Sequence, residues 1–237
     1  MSYVSFNNRK KAPTRKYFNR FSEDYESQDR YKYKFNKWMT DTIIRQVGEK
    51  GTVLDMGTGN GAIGLRIALK HPKTKVIGID LSSGMIDEAK KKAKLFDIRN
   101  ISFVVSTMGK MNIRKADIVV SSSAFHHVKN KKSVVSGVFK ILPKGGKLVI
   151  GDWFRTTKGY RKSIQVMNRK NPKRAKEFIS SFKQLIRDIS KEYKANHPQE
   201  YPVSDVEIKG IFRSSGFRKT RIVKCPLEEF FVIIGEK

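Results

Sequence analysis

The amino-acid sequence predicts a doubly wound α/β fold with a mostly parallel sheet, in a single domain over residues 1–237. Two observations carry that prediction. Short apolar strands alternate with amphipathic helices between residues 46 and 152, and their joints are short. The first strand also ends Val53-Leu54-Asp55-Met56 and runs into a glycine at every second position, Gly57, Gly59 and Gly61. One helix and one strand later the acid Asp80 stands at a strand end. In sheets of this kind ligands sit at the carboxyl ends of the strands, which is where both acids are expected.

Each element follows from its pattern. Leu65, Ile67, Ala68 and Leu69 give the helix after the glycine turn an apolar side. Lys75–Asp80 reads as the second strand. Met85, Ile86, Ala89, Ala93 and Phe96 mark one face of the next helix, and Lys90, Lys91, Lys92 and Lys94 occupy much of the other. Ile101–Val105, Asp117–Ser121 and Lys147–Asp152 are the third, fourth and fifth strands. Between the last two, Val134, Val135, Val138, Phe139, Ile141 and Leu142 form a helix stopped by Pro143 and Gly145-Gly146.

The glycine spacing excludes two nucleotide sites. It is not the Gly-x-Gly-x-x-Gly of dinucleotide folds, and no Gly-Lys-Ser/Thr follows to hold a triphosphate. An acid, one spacer and Gly-x-Gly-x-Gly, as at Asp55–Gly61, instead resembles the first motif of the class I S-adenosylmethionine-dependent methyltransferases. The resemblance covers residues 35–152, with a weaker Phe21-x-x-x-Tyr25 lead-in. It implies S-adenosylmethionine as cofactor. Gly57, Thr58, Gly59 and Gly61 would pass beneath its methionine part, with Asp55 ordering the loop and the methionine ammonium. Asp80 would take the ribose hydroxyls, with Leu81 and Met85 beside it. Thr107 stands where many of these enzymes place an aspartate facing the adenine amino group. A neutral oxygen accepts that bond more weakly than a carboxylate. Met108 would set its backbone N–H and thioether against the adenine, and Ser121 would border the site from the fourth strand.

The resemblance extends to the loop after the fourth strand, where Phe125-His126-His127-Val128 is similar to a segment of small-molecule methyltransferases, including the quinone-biosynthesis type. Either histidine suits proton removal from an acceptor, and either suits holding the loop by hydrogen bonds. His126 is expected as the better base and His127 as the better packing residue. Near the chain end, Gly216-Phe217 and the paired stretches 218–225 and 228–234 resemble the ending of this Rossmann-like methyltransferase fold. That ending implies a seven-stranded sheet whose last strand is antiparallel.

Absences narrow the chemistry. No Asp/Asn-Pro-Pro-Tyr follows the fourth strand, as it would in enzymes resembling base-amino methylases. Cys225 is the one cysteine, which excludes an internal disulfide, a Cys-rich zinc site and a two-cysteine mechanism. It is expected to be buried. His71 and His197, each beside a proline, are expected at the surface or at caps, and the reaction needs no metal.

Around the core, 46–152, the sequence suggests an N-terminal cap over 1–45, a helical insertion or lid over 153–200 and a C-terminal part of the sheet over 201–237. Tyr17, Phe18, Phe21, Tyr25, Tyr31, Tyr33, Phe35 and Trp38 supply the cap with aromatic anchors. Phe178, Phe182, Leu185, Ile186, Ile189 and Tyr193 recur at helical spacing in the insertion.

The formal net charge is +28, and residues 1–22 and 153–176 contain no acid. Basic segments 9–20 and 155–176 would attract a polyanion such as RNA, an anionic membrane surface or an anionic metabolite. A diffusely solvated lysine-rich surface is the plainer alternative. No run is long and apolar enough to cross a membrane and no signal-peptide pattern is present, so a cytoplasmic location is expected. The leading expectation is methyl transfer to a small acceptor. RNA methylation comes next, followed by a cofactor-binding protein without catalysis.

Overall fold

The computed structural model describes Asn19 and residues 33–153, 200–225 and 230–237. The aromatic anchors from Tyr17 to Tyr31, the basic segments 9–20 (Asn19 apart) and 155–176, the helix around 178–193, and His197 lie outside the described residues. Helix α1 (Tyr33–Ile44) leads into β1 (Lys50–Met56), α2 (Ala62–Lys70), β2 (Lys73–Asp80), α3 (Ser83–Leu95) and β3 (Ile101–Val105). Then come β4 (Ile118–Ser122), a short 3-10 turn (Phe125–His127), α4 (Lys131–Ile141) and β5 (Lys147–Trp153). Helix α5 (Asp205–Ser214) and the pair β6 (Lys219–Lys224) and β7 (Phe230–Glu236) complete the described chain.

The strands form one seven-stranded sheet in the order β3-β2-β1-β4-β5-β7-β6. All neighbours from β3 to β5 are parallel, while β7 runs antiparallel to both β5 and β6. The expected architecture is therefore present, with strand bounds shifted by one or two residues. The order turns back at β1 and β4, where crossovers leave the sheet in opposite directions and open a crevice at the carboxyl ends.

Strand alternation divides the core between two faces. Val53, Val76, Val149 and Val232 point to one side, against Met39 and Ile43 of α1, Ile67 of α2 and Ile86 of α3. Leu54, Ile79, Leu148 and Ile233 point to the other, against Val134, Val135 and Val138 of α4 and Ile208 and Phe212 of α5. Helix starts are capped: Ser82 Oγ accepts from Met85 N–H, and Ser204 and Glu207 form a reciprocal capping box.

Two expectations about single residues need correction. Leu69 and Phe96 are not on buried faces; they are 60% and 62% exposed, because Leu69 lies on the solvent side of α2 and Phe96 is already the C-cap of α3. His71 caps α2, one of the two places expected for it, and is buried there. The loop following it is sewn down by Asn100, whose Nδ2 lies 2.9–3.2 Å from the carbonyls of Ala68, His71 and Thr74. Cys225 is buried, as expected.

Helix α1 reaches the sheet where β5 has no side chain. A Cβ on Gly151 would come within 2.5 Å of Met39 Cγ and 2.9 Å of Ile43 Cδ1. G151A should lose about 1–3 kcal/mol, the usual cost of overpacking a closed core. Chemical denaturation of the two proteins measures it, and M39A should recover part of the loss by vacating the space.

Candidate active site

The site starts from two carboxylates that hold one turn. Gly57, Gly59 and Gly61 all have positive φ, 71°, 54° and 83°, which side chains with a Cβ rarely adopt. Asp55, at the end of β1, accepts from Thr58 Oγ1 at 2.6 Å and from Gly64 N–H at 3.1 Å. Asp80, at the end of β2, accepts from Gly59 N–H and Ser82 N–H, both at 2.9 Å. The turn is also tied to the sheet, since Gly57 N–H and Thr58 N–H both donate to Ile79 O.

This bracing leaves room above the turn. A cavity of about 450 Å³ runs from Asp55, Gly57, Thr58, Gly59 and Asp80 past Leu81, Met85, Thr107 and Met108 to Ala124, His127 and Val128. A Cβ on Gly57 would meet Ala124 Cβ at 2.5 Å and Met108 Cε at 2.7 Å, whereas one on Gly59 would meet nothing within 4 Å. Both bonds to Asp55 use Oδ2, so Oδ1 remains available to a ligand. Burial pushes the Asp55 carboxyl up to about 6 and raises Asp80 as well. A cation arriving at Asp55 would offset that burial. An open glycine, a carboxylate oxygen with spare capacity and a second carboxylate across the turn suit the ammonium and ribose hydroxyls of S-adenosylmethionine.

The expected site residues are mostly brought together, with three exceptions. Gly61 is the N-cap of α2 and supports the turn from below without lining the cavity. Ser121 is fully buried and donates to Met56 O at 2.9 Å, closing the end of β1; Ser122 and Ser123 line the cavity in its place. His126, the expected base, is also buried and outside the lining, while His127 is in it.

The loop after β4 is held from several sides. Asp152, at the end of β5, accepts from His126 N–H at 2.8 Å and lies 2.9 Å from His126 Nδ1. Lys131 Nζ donates to Val128 O at 2.5 Å and lies 5.4 Å from the Phe125 ring centroid and 5.7 Å from that of Tyr201. Burial lowers the Lys131 ammonium to about 8, against the opposing pull of Asp152 and Glu207. Asp152 was missed from the sequence, where an acid at a strand end in Gly151-Asp152-Trp153 was the available signal. Thr40, Asn130 and Ser133 also line the cavity and were missed. Asn130 was legible as a helix cap, and its Oδ1 accepts from Ser133 N–H. Asn19 touches the same rim, accepting from Ser82 Oγ at 2.5 Å.

Comparison with known proteins agrees with this geometry. A family model described as a methyltransferase domain matches residues 48–207. The chain is 25% identical over 141 residues to a malonyl-[acyl-carrier protein] O-methyltransferase of Ilyobacter polytropus, covering 58% of this chain and 52% of that protein. It is 26% identical over 136 residues to the enzyme of the same name from Priestia megaterium, covering 55% and 48%. The chain thus spans about half the length of the curated relatives it matches. The fold is shared with magnesium protoporphyrin IX methyltransferase from Synechocystis, at a TM-score of 0.66, 16% identity and coverage of 94% and 97%. It is also shared with a SAM-dependent methyltransferase from Aquifex aeolicus, at 0.57, 19% identity and coverage of 83% and 88%. The match over residues 48–207 spans the braced turn, both carboxylates and the loop after β4, and the chain belongs to this family: it is a class I, S-adenosylmethionine-dependent methyltransferase domain.

Proposed function

We propose that the protein transfers the methyl group of S-adenosylmethionine to an oxygen of a small, anionic acceptor. The observation that carries the reading is the continuity of the cavity, from the two carboxylates at one end to His127, Asn130 and Ser133 at the other. Two reactants can therefore meet in one cavity. Three helices direct their first turns at it, through Ala62 and Ile63 of α2, Ser82 and Met85 of α3, and Asn130 and Ser133 of α4. Helix starts favour negative groups, and the described lining contains no lysine or arginine. The net charge of +28 adds a long-range attraction for an anion. The relatives point the same way, since a malonyl group and protoporphyrin IX both carry carboxylates.

When bound, S-adenosylmethionine supplies a methyl carbon on a sulfonium, which leaves as a neutral thioether as the acceptor oxygen forms the new bond. The protein's part is placement. Asp55 would hold the methionine ammonium and Asp80 the ribose hydroxyls on the braced turn, and Met108 would lie against the adenine. The loop after β4 holds the acceptor in line, and bringing two reactants into such alignment supplies much of the rate. An ionised carboxylate acceptor needs no base.

RNA is the second reading, favoured by the same +28 charge. Labelled cofactor incubated with a cell extract, then separated into RNA, protein, lipid and metabolite fractions, distinguishes the two. Label in the metabolite fraction is the expected result, and label confined to RNA would replace this reading.

Two cofactor measurements test the turn. D80A should weaken binding of S-adenosylhomocysteine by about 2 kcal/mol, the scale of losing charge-assisted hydrogen bonds. Calorimetry on the folded variant gives the difference, and unchanged affinity would mean Asp80 has been assigned the wrong ligand group. Asp55 predicts a pH dependence. Its raised pKa means that the free protein takes up a proton as pH falls through about 6. Binding of an ammonium requires the charged form, so affinity should be full above that pH and about tenfold weaker at pH 5. In D55N this part of the pH dependence should vanish.

A further inference from the structure

We infer that His127 is the residue of the β4 loop that meets the methyl acceptor, and that Asp152 and His126 form the pair that positions it. The inference rests on the methyl-transfer reading and assigns residues within it. Adjacent histidines here have opposite surroundings. His126 is 3% exposed and stands outside the cavity lining, whereas His127 is part of that lining.

The polar groups of His126 are taken up in holding it still. Asp152 Oδ2 accepts from its backbone N–H at 2.8 Å, and Asp152 Oδ1 lies 2.9 Å from its Nδ1. Oδ1 also accepts from Trp153 N–H at 2.9 Å, and the His126 carbonyl accepts from Tyr201 N–H at 2.6 Å. A carboxylate that accepts on both oxygens places the ring proton on Nδ1, which fixes the tautomer and the ring plane together. The His126 ring is then wedged between two others, with centroids 3.6 Å away at Trp153 and 4.0 Å away at His127. It supports the His127 imidazole from behind. On the other side of His127, Lys131 holds the Val128 carbonyl.

The loop is thus fastened immediately before and after His127, and His127 is its one titratable side chain in the described lining. At that position an imidazolium pairs with a carboxylate acceptor, and a neutral imidazole takes the proton from a hydroxyl acceptor as the oxygen attacks the methyl carbon. Either way its ligand is an acceptor oxygen. Asp152 acts only through His126 and is a positioning residue.

The test uses the full chain. Long-range proton–nitrogen spectra of histidine-labelled wild-type protein should show His126 as the Nδ1–H tautomer; the Nε2–H form would overturn the positioning pair. In D152N, whose amide cannot accept on both sides, the His126 pattern and the His127 signals should both move, and an unmoved His127 would sink the coupling. Methyl transfer is then followed into whichever extract fraction takes the label. H127A should lower the rate about 100-fold, within the usual range for a lost proton-transfer group, with S-adenosylhomocysteine affinity within about twofold of wild type. Full activity in H127A would overturn the assignment. D152N should lose about tenfold in rate at unchanged cofactor affinity, as expected from misalignment alone. Failure of the wild-type protein to bind S-adenosylhomocysteine would strike the methyl-transfer reading itself.

Discussion

The site depends on a glycine turn that two carboxylates hold open. Three positive-φ glycines in five residues would by themselves cost considerable chain entropy and adopt no single shape. Asp55 ties the turn to Thr58 and to Gly64 in α2, and Asp80 ties it to Gly59 from the neighbouring strand. Each acid therefore holds the turn with a carboxyl group that also lines the cavity. Burial works against both, which is why Asp55 is pushed up to about 6 in the free protein. The fold tolerates this because the hydrogen bonds from Thr58 and Gly64 offset part of the burial and a cationic ligand offsets more.

Much of this was legible before any coordinates. The alternation of strands and helices located the strands of the core to within a residue or two, because the central strands β1, β4 and β5 are largely buried and read as apolar runs. Asp55 and Asp80 were legible for a related reason: an acid at the end of such a run is conspicuous. The different settings of the two histidines were not legible, because they come from Asp152, which lies in β5 and reaches His126 through the β4–β5 pairing. Ser121 was misplaced by a similar local question. Strand ends leave carbonyls without partners, and its hydroxyl was needed for that of Met56 rather than for a ligand. Phe96 shows the limit of periodicity, since the count was right and the helix ended one residue too soon.

The charge distribution separates attraction from chemistry. Among the described residues the cavity wall combines apolar side chains such as Ile63, Met85, Met108 and Val134 with hydroxyls, amides, one histidine and the two acids of the turn. The described lysines and arginines all lie outside this lining, in a chain with fifty basic and 22 acidic residues. A field of that kind draws anions from a distance and falls off with salt, whereas orientation at the reacting oxygen is left to short contacts.

The sheet order has a consequence for how the molecule assembles and comes apart. Strands β1, β2 and β3 join their neighbours through short helical crossovers, so the half that carries the glycine turn is built from nearby pieces of chain. Strand β7 instead enters between β5 and β6, pairing Gly151 with Val232 across a long stretch of sequence. Closing so long a loop is slow, and β6 has no place in the sheet until β7 is seated. Asp152 lies on this boundary, opposite Phe231. The glycine turn and the β4–β5 pairing that brings Asp152 to His126 thus belong to the early, local part of folding, and the seating of β7 and β6 to the late part. In reverse, β7 and β6 can open together while the turn persists, which would uncover Asp152 and its neighbours in β5 before the glycine turn is disturbed.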